Sequence, residues 1–150
     1  MRPAYLTVAF GVTVIAVDQL TKWWATSITL IPLIGDFFSL RYAENTGIAF
    51  SLPIEGLILQ IVTILFIALL GVLYYRMRAW TGWPKAIFFG LVFGGAIGNA
   101  FDRFLRGFVV DFISVGSFPI FNVADMAVSI GVIGLLYCDL YVSKKERETT

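Results

Sequence analysis

Two aspartates stand in settings that suit hydrolytic chemistry. Asp111 lies in Val109-Val110-Asp111-Phe112, a carboxylate inside an apolar extended run, whereas a solvated loop aspartate usually has polar neighbours. Asp125 closes Asn122-Val123-Ala124-Asp125, which has the spacing of a helix capping box with Asp in place of Glu. Alone, that spacing fits a cap as well as a chemical role, but the pair says more than either member. Two carboxylates brought together at a low-dielectric boundary resist ionising together, so one keeps its proton while the other stays charged. Such a pair can act on water. The ionised member takes a proton from water as it attacks a carbonyl, and the protonated member polarises that carbonyl and later helps protonate the leaving amine. The spacing leaves open which member holds the proton.

Other polar residues gather near the same two positions. Asp18 and Lys22 are four residues apart, share a helical face and can pair. A Ser-Lys dyad using Lys22 with Ser51 or Ser27 is conceivable, but a lysine paired with an aspartate makes a poor base. Asn99, Asp102 and Arg103 follow Gly94-Gly95-Ala96-Ile97-Gly98, whose small residues let another helix approach closely. The three either satisfy one another or, for Asn99 and Arg103, hold peptide carbonyls of a substrate. The chain has no histidine and a single cysteine, Cys138. That excludes histidine-dependent triads, helix-borne zinc motifs, multi-cysteine metal sites and an internal disulfide. The expected chemistry uses no metal and no cofactor.

The elements that position these groups follow from composition. The chain is 59% hydrophobic and 14% charged, with a mean hydropathy of +0.86. A 150-residue soluble domain has no core large enough for that much apolar surface, so the solvent is lipid. The net charge is +1 and the basic residues are scattered, which excludes nucleic acid as a partner. Four stretches approach the roughly 20 apolar residues that a membrane-spanning helix needs: Ala4 to Trp24, Leu57 to Tyr75, Pro84 to Phe104, and Val123 to Tyr141. Pro84 suits a first helical turn, and Asn122 an N-cap. The first stretch also resembles a signal peptide with Arg2 as its n-region and Ala16 near a cleavage point. Its continuation through Asp18, Lys22, Trp23 and Trp24 reads instead as a helix end anchored at an interface.

Counting Lys and Arg in this arrangement places Arg2, Arg76, Arg78, Lys85, Lys144, Lys145 and Arg147 on one side, and Lys22, Arg41, Arg103 and Arg106 on the other. Both termini are expected in the cytoplasm, with all the polar residues above in one layer near the outer face. Trp80 and Trp83 flank the cytoplasmic turn, and Trp23 and Trp24 mark the outer interface. In the connection from Ala25 to Gly56, the runs Phe37 to Tyr42 and Ile48 to Leu52 flank Asn45-Thr46-Gly47 and predict a small sheet on the membrane surface. With no repeat, linker or low-complexity tract, residues 1–150 form one domain.

Five blocks carry a family resemblance: Asp18-Gln19-Leu20-Thr21-Lys22; Asn45-Thr46-Gly47-Ile48-Ala49-Phe50-Ser51; Gly94 to Gly98 continued by Asn99-Ala100-Phe101-Asp102-Arg103; Val109-Val110-Asp111-Phe112; and Phe121-Asn122-Val123-Ala124-Asp125. In this order and over nearly the whole chain, they resemble the signature blocks of bacterial lipoprotein signal peptidase, signal peptidase II. Any one block is weak, but five in order are specific. Ile48 departs from the alanine common there, and the connection between the two aspartates is short. The resemblance implies a membrane all-α fold of four transmembrane helices with a small periplasmic β-sheet and a surface segment partly covering the site. It implies an intramembrane aspartic endopeptidase of the bacterial inner membrane that removes signal peptides from diacylglyceryl-modified prolipoproteins, cleaving before the lipidated cysteine. Asp111 and Asp125 would be the catalytic pair. Asn45, Asn99, Arg103 and Asn122 would contact substrate or support the aspartates, and Asp18, Lys22 and Asp102 would support structure. The implied partners are the lipidated precursor, membrane lipid, and a cyclic peptide inhibitor such as globomycin. The rival reading, a small proton-coupled transporter subunit, requires an ionisable residue near the midplane of a helix.

Overall fold

The computed structural model describes residues 2–47, 56–77 and 82–148. Four helices, α1 (Arg2–Ala25), α2 (Gly56–Met77), α3 (Trp83–Arg106) and α4 (Val123–Glu148), occupy the four apolar stretches, and each is long and apolar enough to cross a membrane. Pro84 stands in the first turn of α3. The middle of every described helix is free of Asp, Glu, Lys and Arg, so the midplane residue that a proton-coupled transporter needs is missing from them.

Helix α3 is the hub. It is 56% buried over its most apolar window against 22% or less for the other three, which turn most of their surface to lipid. Because lipid tails compete for apolar contact, helix association here depends on close packing, and the glycines of α3 provide it. A Cβ on Gly94 would lie 2.7 Å from the Gly11 carbonyl of α1, and one on Gly95 would lie 2.3 Å from the Ala124 carbonyl of α4. Thr7 adds a buried hydrogen bond from its hydroxyl to the Ala86 carbonyl. Helix α1 is thus an integral member of the bundle. Among the described residues helix α2 packs chiefly on α3, through Leu70 against Val92 and Ala96 and through Tyr74 edge-on to Phe89 and Phe93. Among the described residues α2 and α4 make no close backbone approach, which leaves a gap between them.

At one end of the bundle sits a three-stranded antiparallel sheet in the order β1 (Leu30–Ile34), β2 (Phe38–Asn45) and β3 (Val109–Val115). Helix α3 stops at Gly107, whose left-handed φ of 82° turns the chain into β3 while its N–H returns to the Arg103 carbonyl. Val110 and Phe112 of β3 are buried with Ala25 at the end of α1, and Leu40, Tyr42 and Val123 pack around them. The sheet is thereby fixed to the helix ends that carry the polar layer.

The run Phe37 to Tyr42 falls largely in β2. A tight turn at Gly35–Phe37 joins it to β1, and its other described partner is β3. The Ile48 to Leu52 run, with Ser51, lies outside the described residues. So do Trp80 and Arg78.

Candidate active site

Asp111 and Asp125 arrive from different elements and face one cavity. Asp111 stands in β3 directly opposite Ala43 of β2. Asp125 stands in the first turn of α4, where Asn122 and Asp125 form a reciprocal capping box: the Asp125 N–H donates to Asn122 Oδ1 at 2.9 Å, and the Asn122 N–H donates to Asp125 Oδ2 at 3.1 Å. Capping is therefore real, and it leaves Asp125 Oδ1 for another donor. That donor is Asn99 Nδ2 at 2.8 Å. Asp111 is held in the same way, its Oδ1 by Asn122 Nδ2 at 2.6 Å and its Oδ2 by Asn45 Nδ2 at 2.9 Å. Every carboxylate oxygen of the pair thus accepts an N–H from an asparagine.

Asn45 is itself steadied by a local turn, its Oδ1 accepting the Gly47 N–H at 3.1 Å. Asp111 is only 2% exposed. Burial pushes its carboxyl up to about 6, and the nearby Asp125 charge adds to the rise, against the hydrogen bonds from Asn45 and Asn122 and the charge of Lys22.

Behind the pair lies a second cluster with no exposure at all. Lys22 Nζ meets Asp18 Oδ2 and Asp102 Oδ2, both at 2.8 Å with all three side chains at 0% exposure, and it donates to Asn99 Oδ1 at 2.9 Å. Asp18 Oδ1 accepts the Ala124 N–H at the start of α4 at 2.9 Å. Gln19 Nε2 spans Asp18 Oδ2, Asp102 Oδ1 and the Gly98 carbonyl, and Arg106 approaches Asp102 at 3.5 Å from the surface. Asp102 and Arg103 do not share a face: neighbours on a helix point about 100° apart, so Asp102 turns to Lys22 while Arg103 lines the cavity. Ser27 is exposed and returns its hydroxyl to the Trp24 carbonyl.

The cavity has a volume of about 1220 Å³. Its polar end is Asn45, Asn99, Arg103, Asp111 and Asp125; its walls include Leu59, Val62 and Phe66 of α2 and Met126 and Ile130 of α4, so it extends along the gap between those helices. The turn Phe118–Phe121, joined to β3 through an Ile113–Phe121 bridge, closes one side. Arg103 Nε is buried with no hydrogen-bond partner among the described residues, and its guanidinium lies in the field of Asp125 and Asp111. No cluster of acidic or sulfur ligands that could hold a metal ion occurs among the described residues.

A family model described as signal peptidase (SPase) II matches residues 10–141. The chain belongs to the signal peptidase II family. It is similar to the lipoprotein signal peptidase of Symbiobacterium thermophilum, at 39% identity over 94% of this chain and 97% of that one. It is similar also to those of Shouchella clausii, at 42% over 91% and 94%, and Pseudomonas syringae pv. tomato, at 39% over 92% and 87%. Among solved structures it resembles a bacterial membrane enzyme determined by the in meso method at 2.3 Å resolution, with a TM-score of 0.81 and 30% identity over 93% of this chain and 90% of that one. Membership makes the chain a multi-pass membrane peptidase.

Described residues from each of the five blocks meet at this end of the bundle. Asn45, Asn99, Asn122, Asp111 and Asp125 form one hydrogen-bonded layer; Asp18, Lys22 and Asp102 form another beneath it; and Asn99 belongs to both. Gln19 was not singled out by spacing, because residues one apart do not share a helical face with Asp18. The Lys85 ammonium pairs with Asp139 at the far end of α3 and α4, a contact across 54 positions that no local pattern announces.

Proposed function

We propose that this chain is an aspartic lipoprotein signal peptidase of the bacterial inner membrane, with Asp111 and Asp125 as its catalytic pair. The observation that carries the reading is that both carboxylates, each held through both oxygens by asparagines, face the polar end of one largely apolar cavity. Asp111, with its raised carboxyl, is the proton donor, and Asp125 is the acceptor.

In the first step, water oxygen bonds to the scissile carbonyl carbon, a water proton passes to Asp125, and the Asp111 proton passes to the carbonyl oxygen. The resulting tetrahedral diol then collapses. The C–N bond breaks, the proton on Asp125 goes to the departing amine nitrogen, and a hydroxyl proton of the diol returns to Asp111, which restores both carboxyls. Arg103, whose buried Nε–H has no partner among the described residues, offers its donor to a substrate carbonyl. Asn45, Asn99 and Asn122 orient the two carboxylates.

The substrate is a prolipoprotein whose cysteine carries a diacylglyceryl group, and cleavage falls just before that cysteine. The apolar walls and the α2–α4 gap support this reading, since a signal helix and two acyl chains can reach the aspartates sideways without leaving lipid. A cyclic peptide such as globomycin would occupy the same cavity. The termini are cytoplasmic and the aspartates lie near the outer face, as the asymmetry of Lys and Arg between the two sides supports.

Incubating the purified protein with a diacylglyceryl-modified precursor peptide tests the reading. Mass spectrometry is expected to find a product beginning at the lipidated cysteine, and no product from the unlipidated precursor. Intact lipidated precursor after prolonged incubation overturns it.

A further inference from the structure

Lys22 does not border the cavity, yet it is wholly buried with two aspartates. Stability is a poor reason for such a cluster, because replacing buried ion pairs by apolar residues of similar volume is often neutral or stabilising. What an ammonium supplies that an apolar residue cannot is a donor that never accepts. Its third partner is Asn99 Oδ1, at 2.9 Å.

That contact decides which end of the Asn99 amide faces Asp125. With its oxygen turned to Lys22, Asn99 presents Nδ2 to Asp125 Oδ1 at 2.8 Å. The flipped amide would set N–H groups against an ammonium and an oxygen against a carboxylate, so both neighbours enforce one orientation. Asn122 Nδ2 reinforces it by approaching Asn99 Oδ1 at 3.2 Å. Asp18 and Asp102 fix the ammonium in turn: Asp18 is tied to the start of α4 by the Ala124 N–H, and Asp102 to β3 by the Val110 N–H. The cluster therefore joins the element that carries Asp125 to the strand that carries Asp111.

We propose that Lys22 is a positioning residue for the peptidase reaction, acting through Asn99 to aim the side-chain N–H that holds Asp125. The proposal rests on the two-aspartate reading and adds to it a role for Lys22 beyond holding the helices together. A purely structural Lys22 would alter yield and melting temperature; a positioning Lys22 alters turnover in molecules that are folded.

Two variants break the two contacts of the Lys22–Asn99–Asp125 relay in turn. Asp18→Asn/Lys22→Met/Asp102→Asn removes the ammonium together with its counter-charges, so no buried charge is left alone. Asn99→Asp keeps an oxygen for Lys22 but sets a second carboxylate oxygen where the N–H met Asp125, so it breaks the far contact of the relay. Cleavage of the lipidated precursor is measured per folded molecule, with kcat and KM resolved. Each variant is expected to lose about a hundredfold in kcat, the scale for deleting one preorganised donor, with KM within about twofold of the parent. Parent-like kcat in a folded variant overturns the proposal. If the triple variant fails to fold, Lys22→Gln/Asp102→Asn, which removes the ammonium with one counter-charge and so keeps the net charge of the cluster, decides in its place. Asp125→Asn in the same assay separates the two claims: if it turns over normally, the two-aspartate reading has failed; if it is inactive while the triple variant or Asn99→Asp keeps parent kcat, only the role of Lys22 is lost.

Discussion

Asn122 donates to the carboxylate of Asp111 at 2.6 Å through the same side chain whose oxygen accepts the Asp125 N–H at 2.9 Å. One amide therefore caps α4 and sets the spacing between strand β3 and the acid on that helix. Asn122→Ala deletes both bonds. A lost N-cap costs about 1 kcal/mol, so we expect a measurable fall in melting temperature in detergent. The larger effect is on turnover, since Asp111 keeps only its Asn45 donor; cleavage per folded molecule should drop by at least tenfold. A variant with lowered melting temperature but parent turnover would reduce Asn122 to a cap.

The raised carboxyl of Asp111 links stability to pH with a definite sign. With the folded value near 6 and the unfolded value at 3.8, the native state binds the extra proton between them. Stability from this group is therefore full below about pH 4 and is lost as pH rises through about 6. Asp111→Asn lacks that loss, so its melting temperature relative to the parent should climb between pH 4 and pH 7 and then level off. The same group as proton donor predicts a kcat/KM limb that falls as pH rises through about 6, with the limb in kcat displaced upward because bound substrate excludes water. A flat melting difference over this range would contradict the assignment.

Gly95 tests how firmly the bundle places the acid. Its missing Cβ is what lets α3 reach the Ala124 carbonyl, one residue before Asp125. Gly95→Ala forces that contact apart and should cost about 1–3 kcal/mol, the usual range for overpacking. Cleavage per folded molecule should fall as well, because the shift is at the start of α4. The measurement is a melting curve beside a rate, and a parent-like rate in the folded variant would show that Asp125 tolerates the displacement.

The Lys85–Asp139 pair supplies the contrast. It sits far from the cavity, with Asp139 about half exposed, so Asp139→Asn should cost roughly 1–2 kcal/mol, less than the 3–5 kcal/mol typical of breaking a fully buried pair. Turnover per folded molecule should be unchanged. A rate loss comparable to that of an Asp125 variant would mean that the two ends of α3 and α4 are coupled.

The helices and the acids were legible in the sequence for different reasons. Lengths set by the bilayer made the four spans readable to within a few residues except at the end of α4, which runs on from Tyr141 to Glu148, and an aspartate between Val110 and Phe112 stood out because lipid-side carboxylates are costly. Strand β1 was not legible: Leu30-Ile31-Pro32-Leu33-Ile34 has no polar alternation, and Pro32 speaks against a strand except at an edge, which is where it lies. The pairing of β2 with β3 was hidden because it joins segments more than 60 residues apart, a spacing that also separates Asn45 from Asp111. Spacing put Asp18 beside Lys22, but only packing could bring Asp102 and Asn99 to the same ammonium.

The most direct measurement is the cleavage rate of the diacylglyceryl-modified precursor by Asp111→Asn and by Asp125→Asn, each normalised to folded protein. Asn preserves the size of Asp but can neither ionise nor pass a proton. Because general acid–base help is worth about a hundred- to ten-thousand-fold, each variant should lose at least that lower factor in kcat while still binding precursor. Near-parent turnover by either one would contradict the two-aspartate account.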